Sequence, residues 1–440
     1  MLKKGGLKIK CGEKFVRISP HFVIIIIIRR QLGISILLYT KILKICVRLE
    51  NAHKKCKNLC ALFSYTQQNT KMSTRKMNTA DYQIPDLFEL GELESKAILK
   101  VSTLAHQALG ELKGVVQTMP NQNILLGTLP LQEAKESSEI ENIITTQDDL
   151  YQSNFATQQF SSTAAKEVHH YAQAMSLGFN TVRSTGLITL NTIKAVQEEL
   201  EGNDAGFRKQ QGTGLINQVT GKVVYMPPQR PDLIEDYMSD LEKFINDSQC
   251  VDYDPLVKMA LIHHQFESIH PFYDGNGRTG RIVNILYLIQ QNLLDTPILY
   301  LSRYINRNKS QYYQLLQEVR ESQNWQNWIL FMLNGIAETA KQTIILITKI
   351  KQLMQQHKQI IRSQSPKIYS HELLNNLYKH PYTKIEFISQ DCQIHRNTAA
   401  KRLDELVELG ILEKVKIGKE NFYINIELYK LLMEEDKPKA

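Results

Sequence analysis

Long apolar runs are missing from this chain. The longest, Phe22 to Ile28, is stopped by Arg29-Arg30 and resumes only weakly to Leu38. No stretch reaches the roughly eighteen uninterrupted apolar residues that a membrane helix needs, so no membrane partner is expected. Cysteine is also scarce. Four of the six (Cys11, Cys46, Cys56, Cys60) fall in the first segment, leaving Cys250 and Cys392 for everything after it. That excludes a disulfide scaffold and fits a reduced, cytoplasmic setting. His53, Cys56 and Cys60 match no zinc spacing. Internal repeats and long low-complexity linkers are absent after the first segment, and strand signals are few.

An excess of positive charge is missing from most of the chain as well. The formal net charge is +8, but residues 1–77 carry 17 Lys and Arg against two acids, so the rest is −7. The basic balance therefore belongs to the leader, which argues against a simple nucleic-acid reading of the whole. The leader starts basic and then turns apolar, yet no small-residue cleavage site follows. Its Ile/Lys-rich composition is what translated AT-rich upstream DNA would give. Residues 1–76 are read as a non-native or disordered leader, with translation starting at Met72 or Met77.

Beyond it, helical periodicity dominates. Leu87 to Val116 reads as an amphipathic helix or pair, broken at Pro120-Asn121-Gln122-Asn123. Pro130 suits the first turn of a helix running through Asn142. Further helical patterns cover roughly 163–178, 189–201, 231–246, 255–268, 276–292, 308–319 and 325–360. One hairpin is expected at 218–226, turning at Thr220-Gly221 and ended by Pro227-Pro228. After Ile385–Ile388, Arg396–Leu409 repeats apolar residues at Ala400, Leu403, Leu406, Val407 and Leu409. Gly410 stops that helix, and 411–417 and 422–425 read as two strands. Helix, turn, helix and hairpin make a winged helix, with Arg396, Asn397, Lys401 and Arg402 early on the helix that reads DNA in such modules. Glu405, Glu408 and Glu413 dilute that face, so DNA and protein contact stay equally open.

The chemistry concentrates in His270–Arg281, HPFYDGNGRTGR. Asp274-Gly275-Asn276-Gly277 is turn chemistry, and an apolar run follows it. A glycine-rich turn opening a helix offers unpaired N–H groups to an anion, and Arg278 and Arg281 add two guanidinium forks. His270, with a reference pKa of ~6.5, is the candidate general base. Asp274 offers a hard oxygen to a divalent cation. Phe272 anchors the loop. A second string, Ser137-Ser138-Glu139-Ile140-Glu141-Asn142, puts Ser137 and Glu141 on one helical face.

The twelve-residue stretch resembles the Fic family signature, HxFx(D/E)GNGRxxR, at every fixed position. The second string resembles the (S/T)xxxE(G/N) inhibitory motif of a self-restrained class of that family, which ends in a winged helix. The tract Leu301–Asn306, Tyr312-Tyr313 and Trp325–Leu333 extends the resemblance to about 80–440. The implied fold is mainly α, a helical core with a small hairpin flap plus the C-terminal winged helix. The implied domains are an N-terminal helical region over 80–160, a catalytic core over 161–345, and a linker helix with the winged helix over 346–440. The resemblance implies transfer of AMP from ATP to a Ser, Thr or Tyr hydroxyl of a protein, the enzyme itself included, with release of pyrophosphate. It assigns His270 as base and Asp274 to Mg²⁺. Gly275, Asn276, Gly277, Arg278, Thr279, Gly280 and Arg281 would hold the nucleotide, with Tyr312 and Tyr313 beside the adenosine. Val223, Val224 and Tyr225 would form a flap that takes the target backbone by strand addition. Ser137, Glu141 and Asn142 would form the brake, Glu141 pairing with Arg281, and a homodimer could gate it. Rival readings are a nucleotide-sensing DNA-binding regulator and a relative that uses another diphosphate donor.

Overall fold

The structure is a computed structural model. It describes the backbone of Lys8–Cys11 and Lys14–Arg17, and residues 83–434 except 154–159, 217–220, 222, 248–250 and 418–419. The chain divides into two units, Met1–Thr79 and Ala80–Ala440. In the first, β1 (Lys8–Cys11) pairs antiparallel with β2 (Lys14–Arg17), Lys8 opposite Arg17. The apolar run at 22–28, Cys46, Cys56, Cys60 and both alternative start methionines lie outside the described residues. Among the described residues no helix is long and apolar enough to cross a membrane.

The second unit is helical. Ser95 caps α1 (Lys96–Gln117), its hydroxyl accepting from Ile98 N–H at 3.4 Å. Buried Ile98, Ser102, Ala105, Leu109, Leu112 and Val116 recur at helical spacing and lay α1 along the long α11 (Trp325–Gln364). Between them, α2 (Asn123–Ile140) and α3 (Gln147–Gln152) precede α4 (Thr163–Thr185), α5 (Leu190–Glu201) and α6 (Pro231–Asn246). At the centre lies α7 (Pro255–Ile269), buried on every side from Leu256 to Ile269. It packs against α8 (Asn276–Gln290), buried almost throughout. Neither helix has a polar face, so both must be core. Gly280 permits their close approach, since a Cβ there would sit 3.0 Å from the Phe266 ring. Helices α9 (Leu301–Arg307) and α10 (Lys309–Ser322) then lead into α11.

Two expectations shift. Helix α2 starts at Asn123, with Pro130 inside it rather than in its first turn. The hairpin pairs β3 (Leu215–Ile216) with β4 (Val223–Tyr225), Leu215 opposite Tyr225, which adds 215–216 to the expected hairpin, while the expected first strand at 218–220 lies outside the described residues. Most of the turn lies outside the described residues, although Gly221 has the expected positive φ of 67°.

The C-terminal module has α12 (His371–Lys379), β5 (Tyr382–Thr383), α13 (Ile385–Asp391), α14 (Arg396–Glu408), β6 (Leu412–Ile417), β7 (Glu420–Asn425) and α15 (Ile426–Glu434). Its strands order β5-β7-β6, with Leu412 opposite Asn425 and Ile417 opposite Glu420, which is a winged helix. Helix α14 buries Ala399, Leu403 and Leu406, with Ala399 in the core position expected for Ala400. The module seats against α2 and α3. Tyr382 and Tyr429 hydroxyls both donate to Asp148 Oδ1, and a Cβ on Gly127 would meet the Lys379 carbonyl at 2.7 Å.

Candidate active site

The site is built on the reversal between α7 and α8. Helix α7 stops at Ile269 because His270 turns left-handed (φ 50°, ψ 59°), its N–H still donating to Phe266 O at 2.9 Å. Phe272 packs into the core beside Phe207 and Phe266. Asn276 then clasps that residue's backbone. Its Oδ1 accepts from Phe272 N–H at 2.8 Å and its Nδ2 donates to Phe272 O at 2.9 Å. The Asn276 side chain is therefore a loop clamp, and only its main chain is left for a ligand. Gly275 (φ 72°) ends the loop, and a Cβ there would collide with the Glu201 carboxylate. Gly275 N–H donates to Asp274 Oδ1 at 2.8 Å, so that donor is already engaged. No side chain caps the start of α8, which leaves the positive end of a buried helix without a capping group.

Both motif arginines are almost wholly buried and meet the same carboxylate. Arg281 Nη2 donates to Glu141 Oε1 at 2.7 Å, and Arg278 Nε donates to Glu141 Oε2 at 3.0 Å. Arg281 also donates to Ser137, from Nε to Oγ at 2.7 Å and from Nη2 to the carbonyl at 3.0 Å. It stays charged despite burial, because Glu141 favours the guanidinium. The expected Glu141–Arg281 pair is thus present, and the Arg278 contact is additional. Arg278 has two further partners that sequence reading missed, Glu201 at 2.9 Å and Glu167 at 3.2 Å. Burial pushes Glu201 up to about 7 against the pull of Arg278, and Asp274, Glu141 and Glu167 add to the repulsion.

The backbone explains the motif's last position. Asn142 is left-handed (φ 64°), its N–H donating to Glu139 O and Ile143 N–H to Ser138 O, both at 3.0 Å. This is a complete Schellman end to α2, a position that glycine or asparagine fills with least strain. Lys309 Nζ reaches Asn142 Oδ1 at 3.2 Å. Behind Glu141, α2 is fastened to α9. Glu133 Oε2 accepts from Ser302 N–H at 3.1 Å, and its other oxygen accepts from the Ser302 and Tyr171 hydroxyls. Glu136 takes Arg303 at 3.3 Å and Asn306 at 3.0 Å. Burial pushes Glu133 up to about 8 in spite of its donors.

His270 is half-buried, with no partner on Nδ1. Burial, then Arg208 and Arg320, hold it down to about 3, far below the 6.5 of a free imidazole. It is therefore neutral across physiological pH, a proton acceptor of weakened basicity in the resting site.

Several expected residues sit elsewhere. Thr279 is buried with its hydroxyl unpartnered, and Gly280 faces α7, so both belong to the core side of α8. Tyr312 is core as well, with its hydroxyl 2.9 Å from His263 Nε2 and its ring beside Trp328. Tyr313 is 48% exposed and within electrostatic reach of Arg281, Glu267 and Glu141. In the flap, Val223 and Val224 are exposed, whereas Tyr225 is a buried anchor whose hydroxyl donates to Ser268 O at 2.7 Å. Asp274 is exposed, and its second oxygen makes no hydrogen bond among the described residues. No cluster of three or more metal-type side chains occurs among them. On the winged helix Arg396, Asn397 and Lys401 are exposed, Arg402 is half-buried, and Arg396 lies 3.4 Å from Glu386.

Residues 187–288 match the Fic/DOC family, and 99–180 match the Fic/DOC family N-terminal region. Residues 353–428 match the C-terminal domain described as "Protein adenylyltransferase SoFic-like". Among curated proteins, the chain is 32% identical over 77 residues to protein adenylyltransferase fic-1 of Caenorhabditis elegans, covering 18% of this chain and 15% of that protein. It is 30% identical over 117 residues to a probable protein adenylyltransferase of Aquifex aeolicus, covering 26% and 33%. The match therefore spans a third or less of either relative. A solved Fic family protein from Desulfovibrio desulfuricans aligns at 17% identity and TM-score 0.48, over 76% of this chain and 97% of that one.

Proposed function

Because the chain belongs to the Fic/DOC family, we propose that it is a protein adenylyltransferase. It moves AMP from ATP to a Ser, Thr or Tyr hydroxyl of a protein and is held at rest by Glu141. The observation that carries this reading is the Glu141 carboxylate lying across both buried arginines beside the uncapped start of α8. An acidic side chain is here placed where an anion would be bound, and a polyphosphate is the anion that suits two forks and a helix N-terminus.

When Glu141 leaves, Arg281 is freed toward the terminal phosphates, while Arg278 keeps Glu201 and Glu167. Arg281 is then the phosphate ligand, and Arg278 shapes the turn around Gly275. The main-chain N–H groups of Asn276 and Gly277 take the phosphates nearer the reacting centre. Neutral His270 accepts the target hydroxyl's proton as that oxygen attacks the α-phosphorus. The bond to the β-phosphate breaks, and pyrophosphate leaves with the electron pair. The exposed Asp274 oxygen suits Mg²⁺, which when bound would neutralise charge on the phosphates. The exposed edge of Val223-Val224 would take the target's extended backbone beside the site. The partly neutralised face of α14 gives the DNA-regulator reading no comparable support.

The test is incubation of the full chain with Mg²⁺ and α-labelled ATP, with and without cell lysate, alongside His270→Ala. Labelled protein is expected, label is lost in His270→Ala, and the variant melts as the parent does. Label retained at a substantial level in His270→Ala would remove the histidine from the base role. Label absent from both proteins and from brake-released variants would redirect the search to other diphosphate donors.

A further inference from the structure

The last carbonyls of a helix have no partner within it. At the carboxyl end of α7 they are closed by side chains from elsewhere. Glu267 O accepts from Arg320 Nη2 at 3.3 Å, and Ser268 O from the Tyr225 hydroxyl at 2.7 Å. Ile269 O accepts from Arg208 Nη2 at 3.4 Å, and His270 O from Arg208 Nε at 2.8 Å. The same Arg208 Nη2 donates to Pro228 O, just beyond the flap, and Arg208 N–H donates to Pro271 O at 2.8 Å. Arg208 is 1% exposed, and its Nε and Nη2 are spent on backbone carbonyls, while its buried Nη1 has no hydrogen-bond partner among the described residues.

That use of a buried cation needs a reason, since desolvating a guanidinium is costly. The reason lies in His270. A left-handed conformation is strained for any residue with a side chain and persists only where the surroundings over-determine it. Here a planar fork holds the two carbonyls on either side of the reversal, and the helix dipole favours a cation at that end.

We propose that Arg208 is the positioning residue for His270: bridging Pro228 to the carbonyls of Ile269 and His270, it fixes the left-handed turn that aims the imidazole and ties that turn to the flap. This rests on His270 acting as the base. Arg208 acts through the backbone of His270 and through its charge. The charged groups facing the imidazole are Arg208 from the loop before the flap and Arg320 from α10, and α7 contributes only the backbone of Glu267. With burial, the two cations disfavour imidazolium, so removing one must raise the proton affinity of the ring.

The experiment compares Arg208→Met and Arg208→Lys in the full chain carrying Glu141→Gly. It reads kcat and KM for ATP, and follows the His270 ring titration by NMR. Arg208→Met is expected to lose about tenfold or more in kcat, a part of what a general base supplies. Its KM should stay within about twofold, because ground-state binding of ATP is untouched. Its ring titration should move up toward the free-imidazole value. Arg208→Lys should keep the low titration but regain only part of kcat, since one ammonium cannot span three carbonyls. A folded Arg208→Met with kcat and ring titration both unchanged overturns the proposal. So does an Arg208→Lys that is fully active. If Arg208→Met does not fold, the Lys variant decides alone, through low titration with reduced kcat. If Glu141→Gly itself transfers nothing, the adenylyltransferase reading fails separately, and the ring titration, which needs no turnover, decides the role of Arg208.

Discussion

Replacing Glu141 with glycine removes one carboxylate shared by two buried guanidiniums. The side chain contributes charge-assisted bonds of 2.7 Å and 3.0 Å and is 24% exposed. Such bonds contribute about 1.5–3 kcal/mol each, and partial exposure argues for the lower end, so a nucleotide displacing Glu141 forfeits roughly 3 kcal/mol. At about 1.4 kcal/mol per factor of ten, the brake amounts to roughly 100-fold in nucleotide-competent enzyme. AMP transfer by Glu141→Gly should rise by about that factor at limiting ATP, measured by incorporation of α-labelled ATP. A second readout comes from stability. Arg281 loses its carboxylate and keeps Ser137, whereas Arg278 retains Glu167 and Glu201. Stranding a buried cation typically costs about 3–5 kcal/mol. The unliganded variant should melt below the parent, and ATP with Mg²⁺ should raise its melting point more than the parent's. Equal transfer by the two proteins, or equal melting without nucleotide, would refute the reasoning.

Two further outcomes follow from neighbouring features. Asn142→Gly should leave the left-handed end of α2 intact, whereas Asn142→Ala should cost about 1 kcal/mol, fray the last turn and raise transfer several-fold. Hydrogen exchange at Ile143 N–H reads the fraying, and identical behaviour of the two variants would show that the end of α2 does not govern Glu141. His263 is held down to about 3 by burial, then by the nearby Arg281, so it stays neutral in the folded chain while the unfolded chain takes a proton below 6.5. Its depressed value therefore costs stability as pH falls below 6.5. Against His263→Phe, the parent should lose about 2 kcal/mol between pH 7 and 5, read from denaturation midpoints. A pH-independent difference between the two proteins would mean the ring is protonated in the folded state.

Much of this architecture was legible because its signals are local. The strongly patterned segments 231–246 and 255–268 appear as α6 at 231–246 and α7 at 255–269. Helix α9 escaped because it is only seven residues long: Leu301, Tyr304 and Ile305 keep helical spacing for a single turn, and the buried Ser302 and Arg303 between them face carboxylates of α2. Pro130 misled because proline at a first helical turn is common, yet here the helix continues on both sides of it. At the site, the Glu141–Arg281 pair was implied by the resemblance of two short strings to family motifs. The Arg278 partners were not, since Glu167 and Glu201 stand 111 and 77 residues away with no local pattern around them. Tyr312 and Tyr313 look alike in sequence, and only the packing separates a core ring from an exposed one.

The fastening of α2 bears on how fast the proposed brake can release. Glu133 and Glu136 rivet the middle of that helix to α9, and Gly127 abuts the winged helix without room for a methyl group. Sliding or rotating the whole helix would break all these contacts together, a slow, concerted event. Beyond Ser137, by contrast, Glu141 sits at the end of the last turn, so under the proposed brake a side-chain torsion and that single turn of backbone would suffice to release it. Motions of that size run on nanosecond to microsecond scales. A catch of that kind would sample its open position many times within one turnover of the proposed reaction, so the resting rate is expected to report a population, with no slow activation phase and no lag after ATP is added.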